Sequence, residues 1–245
     1  MTNLSAAILG PLLRTDPAGP RITYYDDAVD ERIELSTATL ANWAAKTGNL
    51  LRDELGAGPT SRVAVLLPAH WQSVAVLFGV WWIGAEVAWA GPAGGPDHGA
   101  AEVALCSADR LAEADAAVGH GGEVVVLSLD PFGRAAPGLP AGVTDYATAV
   151  RVYGDQIDAE PHPGPALAGR SADQVLDDCR AAAAAAGLTA ADRVCSARDW
   201  DTASDLVANL LAVLASGASL VQVRNPDPVR QQRRRRIEKV TRVLP

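Results

Sequence analysis

A chain of 245 residues can bury a full hydrophobic core without metal or disulfide staples, and its 49% hydrophobic and 20% charged content is that of a globular protein. Its net charge of -8, with 19 of 21 basic residues being Arg and only Lys46 and Lys239 being lysines, argues against general nucleic-acid affinity, which needs a basic surface. No apolar run reaches the ~18 residues of a membrane span. Cys106, Cys179 and Cys195 form no CxxC pair, so buried free thiols in a reducing, cytoplasmic setting are expected.

Residues 1–17, MTNLSAAILGPLLRTDP, lack the basic start of a signal peptide and read as a short amphipathic helix, Leu4 to Leu13. Two β-type runs follow, Arg21 to Tyr25 and Glu31 to Leu35. Asp26, Asp27 and Asp30 lie between them, which suits a hairpin. Ser36 or Thr37 then caps a helix reaching about Leu55, with Leu40, Ala44, Thr47 and Leu51 on one side.

Residues 62–95 carry the strongest pattern. Val63 to Leu67 suits a buried strand, Val74 to Ala85 a helix, and Val87 to Ala90 a second strand before a Gly/Pro cluster. Trp71, Ala75, Phe78 and Trp82 fall at helical spacing, as do Val74, Leu77 and Trp81. The helix is therefore apolar nearly all round and is expected inside the protein. This is one right-handed βαβ unit, expected at the centre of an α/β sheet. Core packing is expected for most of the tryptophans; because Trp81 and Trp82 point about 100° apart, contact of one of them with an interface or an apolar ligand is the alternative.

Beyond a loop at Pro92 to Gly99, the chain predicts a strand at Val103 to Cys106, a helix at Arg110 to Val118 and a turn at Gly119 to Gly122. Glu123 to Leu129 is the next strand. A loop at Pro131 to Gly142 precedes a helix at Asp145 to Ile157. Asp158 to Gly169, with Pro161, Pro163 and Pro165, reads as a linker between lobes 1–157 and 170–245 of one domain spanning 1–245. Ser171 with Gln174 forms a capping-box pattern for a helix closed by Gly187. Strands at Arg193 to Ala197 and Ser219 to Arg224 flank a helix that starts at Thr202 or Ser204 and ends at Gly217. A last helix, Val229 to Val240, carries Arg233 to Arg236, which are expected to be solvated.

In order and phrasing these segments resemble the N-terminal part of the adenylate-forming acyl-CoA synthetases, the AMP-dependent synthetases and ligases. Residues 39–51, TLANWAAKTGNLL, and 58–68, GPTSRVAVLLP, are similar to that family's helix followed by GxGDRVAVLLPN. Residues 71–85, WQSVAVLFGVWWIGA, resemble its xxxVxAxLGxLxAGAxxxPL segment. Residues 187–194, GLTAADRV, resemble the strand entry after the nucleotide loop. Residues 211–223, LAVLASGASLVQV, and 236–245, RIEKVTRVLP, resemble LLAxLxxGAxVVL and IERxxVTxxxxVP. The resemblance implies a three-layer α/β fold of mostly parallel sheets flanked by helices, like the first half of the synthetase large domain.

The resemblance also marks a departure. The family cradles ATP phosphates on a TSGTTGxPKG loop, using backbone amides, hydroxyls and a lysine. Residues 166–175, ALAGRSADQV, stand in that place. Gly169 and Ser171 are kept and Arg170 offers a cation, but the Gly/Thr run and the lysine are gone and Asp173 adds negative charge. Gly169, Arg170 and Ser171 are thus the candidate cofactor-binding residues at a degenerate phosphate loop poorly suited to a triphosphate, so no cofactor is expected, with ATP or AMP the alternative. The chain also stops at Pro245, ahead of the family's adenine-binding, magnesium-binding, hinge and catalytic-lysine segments. This implies a catalytically incomplete homologue that acts as a binding or regulatory protein. The alternative is residual binding of nucleotide, CoA or acyl adenylate, or half of a split ligase completed in trans. Surfaces that the family's later segments would cover predict a homo-oligomer or a heteromeric partner.

Other chemistry is weaker. His70, His98, His120 and His162 are scattered, and none of Ser73, Ser128 and Ser196 sits in a GxSxG elbow. Residues 91–95, GPAGG, do not open a dinucleotide-binding helix. Asp26, Asp27 and Asp30 suit an acidic turn better than a metal site.

Overall fold

The computed structural model describes residues 1–90 and 100–244. The expected loop at Pro92 to Gly99, the GPAGG motif at 91–95, His98 and Pro245 lie outside the described residues. The first half runs α1 (Leu4–Thr15), β1 (Pro20–Asp26), β2 (Glu31–Ser36), α2 (Thr37–Asp53), β3 (Arg62–Leu66), α3 (Trp71–Trp82), β4 (Glu86–Trp89), β5 (Ala101–Ser107), α4 (Leu111–Ala117) and β6 (Val118–Leu127). There follow β7 (Val143–Asp145), α5 (Tyr146–Ala149), α6 (Ala172–Ala186) and β8 (Arg193–Ser196). α7 (Ala203–Leu206) passes through a π turn, Val207–Leu211, into α8 (Ala212–Ala215). The chain closes with β9 (Ser219–Arg224), α9 (Pro228–Ile237) and β10 (Arg242–Val243).

Two five-stranded sheets result. The first has the order β10-β8-β9-β1-β2 and the second β4-β3-β5-β6-β7. Every pairing is parallel except the β1–β2 hairpin. β1 pairs with β9, so residues from both sides of the Pro-rich stretch build the same sheet.

All twelve residues of α3 are buried, as a helix apolar on every side requires. α3 touches β4 of one sheet and β1 of the other. A single apolar cluster runs from Ile22 and Leu220, through Leu77 and Phe78, to Val63 and Leu105. This is the middle of three layers: sheet, helices, sheet. α4 covers the far side of the second sheet, where Ala114 and Ala117 meet Leu66, Cys106 and Val126. α2 and α3 approach closely at Gly79, where a Cβ would lie 2.7 Å from the Thr47 Cβ. Asn3 joins α1 to the end of α3: its Oδ1 caps Ala6 N, and its Nδ2 donates to the carbonyls of Trp81 and Trp82 at 2.7 and 3.1 Å.

Three expectations need correction. The βαβ unit β3-α3-β4 sits at an edge of its sheet and not at the centre, because β5 to β7 all add on the far side of β3. Gly119 to Gly122 is no chain reversal but an irregular stretch inside β6. Gly121 adopts φ 83°, and the register against β5 slips there. The helix expected over Asp145 to Ile157 shrinks to α5 and one 3-10 turn, Val150–Val152.

The Pro-rich residues 158–169 are fastened down. Glu160 N donates to Trp82 O and Gly164 N to Gly84 O, each at 2.9 Å. Among the described residues no helix is long and apolar enough to cross a membrane.

Candidate functional site

The segment around Gly169 forms a two-residue reversal. Ala168 and Gly169 both take positive φ, 50° and 73°, the signature of a type I′ turn. The turn is closed by Arg170 N donating to Leu167 O at 3.0 Å and by Leu167 N donating to Arg170 O at 3.3 Å. Leu167 also bridges Val87 in parallel fashion, extending the second sheet past β4. Ala166 O receives two donors, Val87 N at 3.0 Å and the Trp81 indole Nε1 at 2.7 Å. The Trp81 indole, expected as either core or ligand contact, therefore anchors this loop from within the core.

A phosphate cradle needs backbone amides that await an anion. Here those amides have protein acceptors. Gly169 N donates to the Glu86 carboxylate at 2.7 Å. Arg170 N closes the turn. Ser171 N donates to Gln174 Oε1 at 2.9 Å, and Gln174 N returns to Ser171 Oγ at 3.3 Å, completing the expected capping box at the start of α6. The Arg170 guanidinium is paired with Asp178, and Asp173 occupies the first turn of α6. The structure thus brings Gly169, Arg170 and Ser171 together on one tight turn, ringed by Glu86, Asp173 and Asp178. Arg62 Nε lies 4.0 Å from the other Glu86 oxygen. Gly169 sits beside Glu86, the first residue of β4, whereas ligands of open α/β sheets gather at the carboxyl ends of strands. No sequence pattern marks Glu86, an isolated acid 83 residues from Gly169.

The remaining candidates separate. His70 is buried, while His120 and His162 are exposed. Ser73 Oγ donates to Pro68 O and Ser128 Oγ to Arg134 O, so both hydroxyls serve the backbone. Asp27 pairs with Arg234 and Asp30 with Arg230, which ties the β1–β2 turn to α9. Arg234 is therefore buried, at 6% exposure, against the expectation that the arginine run is wholly solvated. Its guanidinium also lies over the Tyr25 ring, 4.3 Å from the centroid. Among the described residues no group of three His, Cys, Asp or Glu side chains could hold a metal ion. Burial pushes the thiols of Cys106 and Cys179 up to about 12, far from nucleophilic at neutral pH.

Comparison with known proteins places this arrangement. The model of the AMP-binding enzyme family matches residues 17–155. A Mycobacterium tuberculosis protein known by a family designation alone is 70% identical over 246 residues, covering 99% of this chain and 98% of its own. Among solved structures, an acyl-CoA synthetase from Brucella canis superposes with TM-score 0.77 at 18% identity, covering 99% of this chain and 47% of the synthetase. A benzoate CoA ligase from Burkholderia xenovorans gives TM-score 0.74 at 16% identity, covering 96% and 48%. At such identities the likeness is one of fold, and the chain spans about half the length of these solved ligases.

Proposed function

The chain belongs to the AMP-binding enzyme family, and from that membership we propose that it is a catalytically incomplete member acting by binding, as a partner or regulatory protein. The reading is carried by one observation: the amide of Gly169 is already bonded to the Glu86 carboxylate. A phosphate drawn to that amide would meet Glu86 at close range. At an effective dielectric of ~20, two like unit charges ~4 Å apart repel by on the order of 4 kcal/mol. Arg170, the one cation of the loop sequence, is engaged by Asp178. An active loop would offer donors to the nucleotide, and this one spends them on its own scaffold. On this reading the partner is a second copy of the chain or another protein.

A second reading draws on the likeness to acyl-CoA ligases over about half their length. On that reading the chain keeps residual affinity for nucleotide, CoA or acyl adenylate, or forms part of a ligase completed by a partner. Titration calorimetry with Mg-ATP, AMP and CoA separates the two. The binding-only reading expects no saturable heat with any nucleotide. Saturable micromolar binding of Mg-ATP that is lost on Gly169→Val or Ser171→Ala would sink it and favour the ligase reading.

A further inference from the structure

The carboxyl ends of β1 and β9 and residues that follow β3 and β6 border a cavity of about 570 Å³. It is lined by Tyr24, Glu31, His70, Leu129, Phe132 and Arg224 among others. β1 and β9 are parallel neighbours in one sheet, and β3 and β6 run parallel in the other. Their carboxyl edges face this crevice, which is where open α/β sheets hold ligands. It shares no lining residue with the Gly169 turn.

His70 caps α3. Its Nδ1 accepts from Gln72 N at 3.1 Å, which fixes the proton of the neutral ring on Nε2. Among the described residues that Nε2–H has no hydrogen-bond partner, although His70 is 1% exposed. Facing it at 3.9 Å is Glu31 Oε1, which also lacks a hydrogen-bond partner and whose side chain is 8% exposed. The imidazole is held rigid by the Tyr24 ring, edge-on at 4.4 Å, and by Trp71 at 5.6 Å. A buried donor and a buried acceptor, each without a mate, stand too far apart to satisfy one another.

One oxygen at hydrogen-bonding distance, ~2.8 Å, from both atoms would subtend roughly 90° between them. A hydroxyl can do this, accepting from Nε2–H and donating to the carboxylate. A carboxylate ligand would face Glu31 with like charge, and an ammonium would find only a donor on His70. The rest of the wall asks for an apolar body. Phe132, which lines the cavity, is 75% exposed. Leu129 holds φ at 57°, a conformation a leucine rarely takes.

We propose that this crevice is a binding site for a small neutral molecule with an apolar body and one hydroxyl, an alcohol or a phenol, its oxygen bridging His70 Nε2 and Glu31 Oε1. The hydroxyl is the recognition group, and Leu129 and Phe132 cover the body.

The test follows the histidine ring signals of the full chain by NMR while phenol, benzyl alcohol, toluene and benzoate are titrated in turn. His70→Asn supplies the assignment and keeps a good N-cap acceptor. Saturable shifts of the His70 signals are expected with phenol, benzyl alcohol or both, and the preferred one identifies the hydroxyl as phenolic or aliphatic. Toluene should bind about tenfold more weakly, and benzoate should leave His70 unmoved. His70→Asn and Glu31→Met should each weaken the hydroxyl ligand about tenfold, the scale of a lost hydrogen bond to a charged group. Two variants keep the test decisive should one fail to fold. Equal binding of toluene and phenol, affinity unchanged in the folded variants, or no shift at millimolar ligand would overturn the proposal. So would a bound water on Nε2–H that persists in the presence of phenol.

Discussion

Replacing Trp81 with Phe tests whether the core helix holds the Gly169 loop. Trp81 is 2% exposed, with its ring edge-on to Phe78 and its indole N–H bonded to Ala166 O at 2.7 Å. Phe keeps the six-membered ring and removes the donor. Ala166 O would keep its second donor, Val87 N at 3.0 Å, so no buried carbonyl is orphaned and the loss is that of an ordinary hydrogen bond, about 1 kcal/mol. The vacated pyrrole space adds about 1–2 kcal/mol of lost transfer energy and cavity. Together these lower the unfolding temperature by about 5–10 °C for a chain of this size. Trp82→Phe is the control, because the Trp82 indole nitrogen has no hydrogen-bond partner among the described residues and only packing is lost. Thermal unfolding by circular dichroism gives the global effect, and hydrogen exchange at the Ala166 and Arg170 amides gives the local one. The reasoning fails if Trp81→Phe is no worse than Trp82→Phe, or if exchange at the loop is unchanged relative to that at Val63 and Val65.

Three further outcomes are expected. Glu238, 5% exposed, accepts from Tyr25 Oη at 2.5 Å, from Arg32 and from Arg193, so Glu238→Gln should cost about 3 kcal/mol by chemical denaturation. That is the low end for a broken buried pair, because Arg32 is 46% exposed; a loss below about 1 kcal/mol would show the network to be dispensable. Hydrogen bonds from Thr241 and Thr189 hold the Asp192 carboxyl at about 2. A depressed carboxylate stabilises the fold above its unfolded pKa, and that contribution fades as pH falls through the folded one. The stability gap between wild type and Asp192→Asn should therefore close between the ordinary aspartate range and about pH 2, and a gap unchanged by acid would refute the assignment. With Cys106 and Cys179 pushed up to about 12 and Cys195 also raised by burial, Ellman's reagent should find no rapidly reacting thiol until denaturant is added.

The elements legible in the sequence are those whose cause is local. The all-apolar run of α3, the Ser171–Gln174 capping box and the left-handed Gly187 at the end of α6 each depend on residues within a turn or two. What the sequence hid depends on distant pairing. β10 is two residues long and exists because β8 offers it an edge. The arginine run reads as solvated until Asp27, 207 residues earlier, claims Arg234. In the candidate site, the departure of residues 166–175 from the pattern they resemble was legible as a lost Gly/Thr run and a lost lysine. The Glu86 carboxylate on the Gly169 amide, 83 residues away, was not. His70 looked like one scattered histidine among four; only the meeting of β1, β2 and α3 sets its Nε2–H opposite Glu31.

The two sites therefore differ in a way that sequence motifs alone would invert. A binding loop must keep its donors unsatisfied or wet until the ligand arrives, and a ligand that must first displace an intramolecular partner forfeits that partner's free energy. At Gly169 the partner is charged, so displacing it would forfeit about 1.5–3 kcal/mol before any repulsion is counted. The same bond, with Trp81 beneath it, helps fasten residues 158–169 across the edge of the second sheet, so a change that frees the amide also loosens the strap. At His70 the balance is reversed: a buried donor and a buried acceptor have no mate among the described residues. The desolvation has been met by folding, and what a ligand gains there is the full bond. Family resemblance draws attention to the loop, but the unmet hydrogen-bonding capacity lies in the crevice.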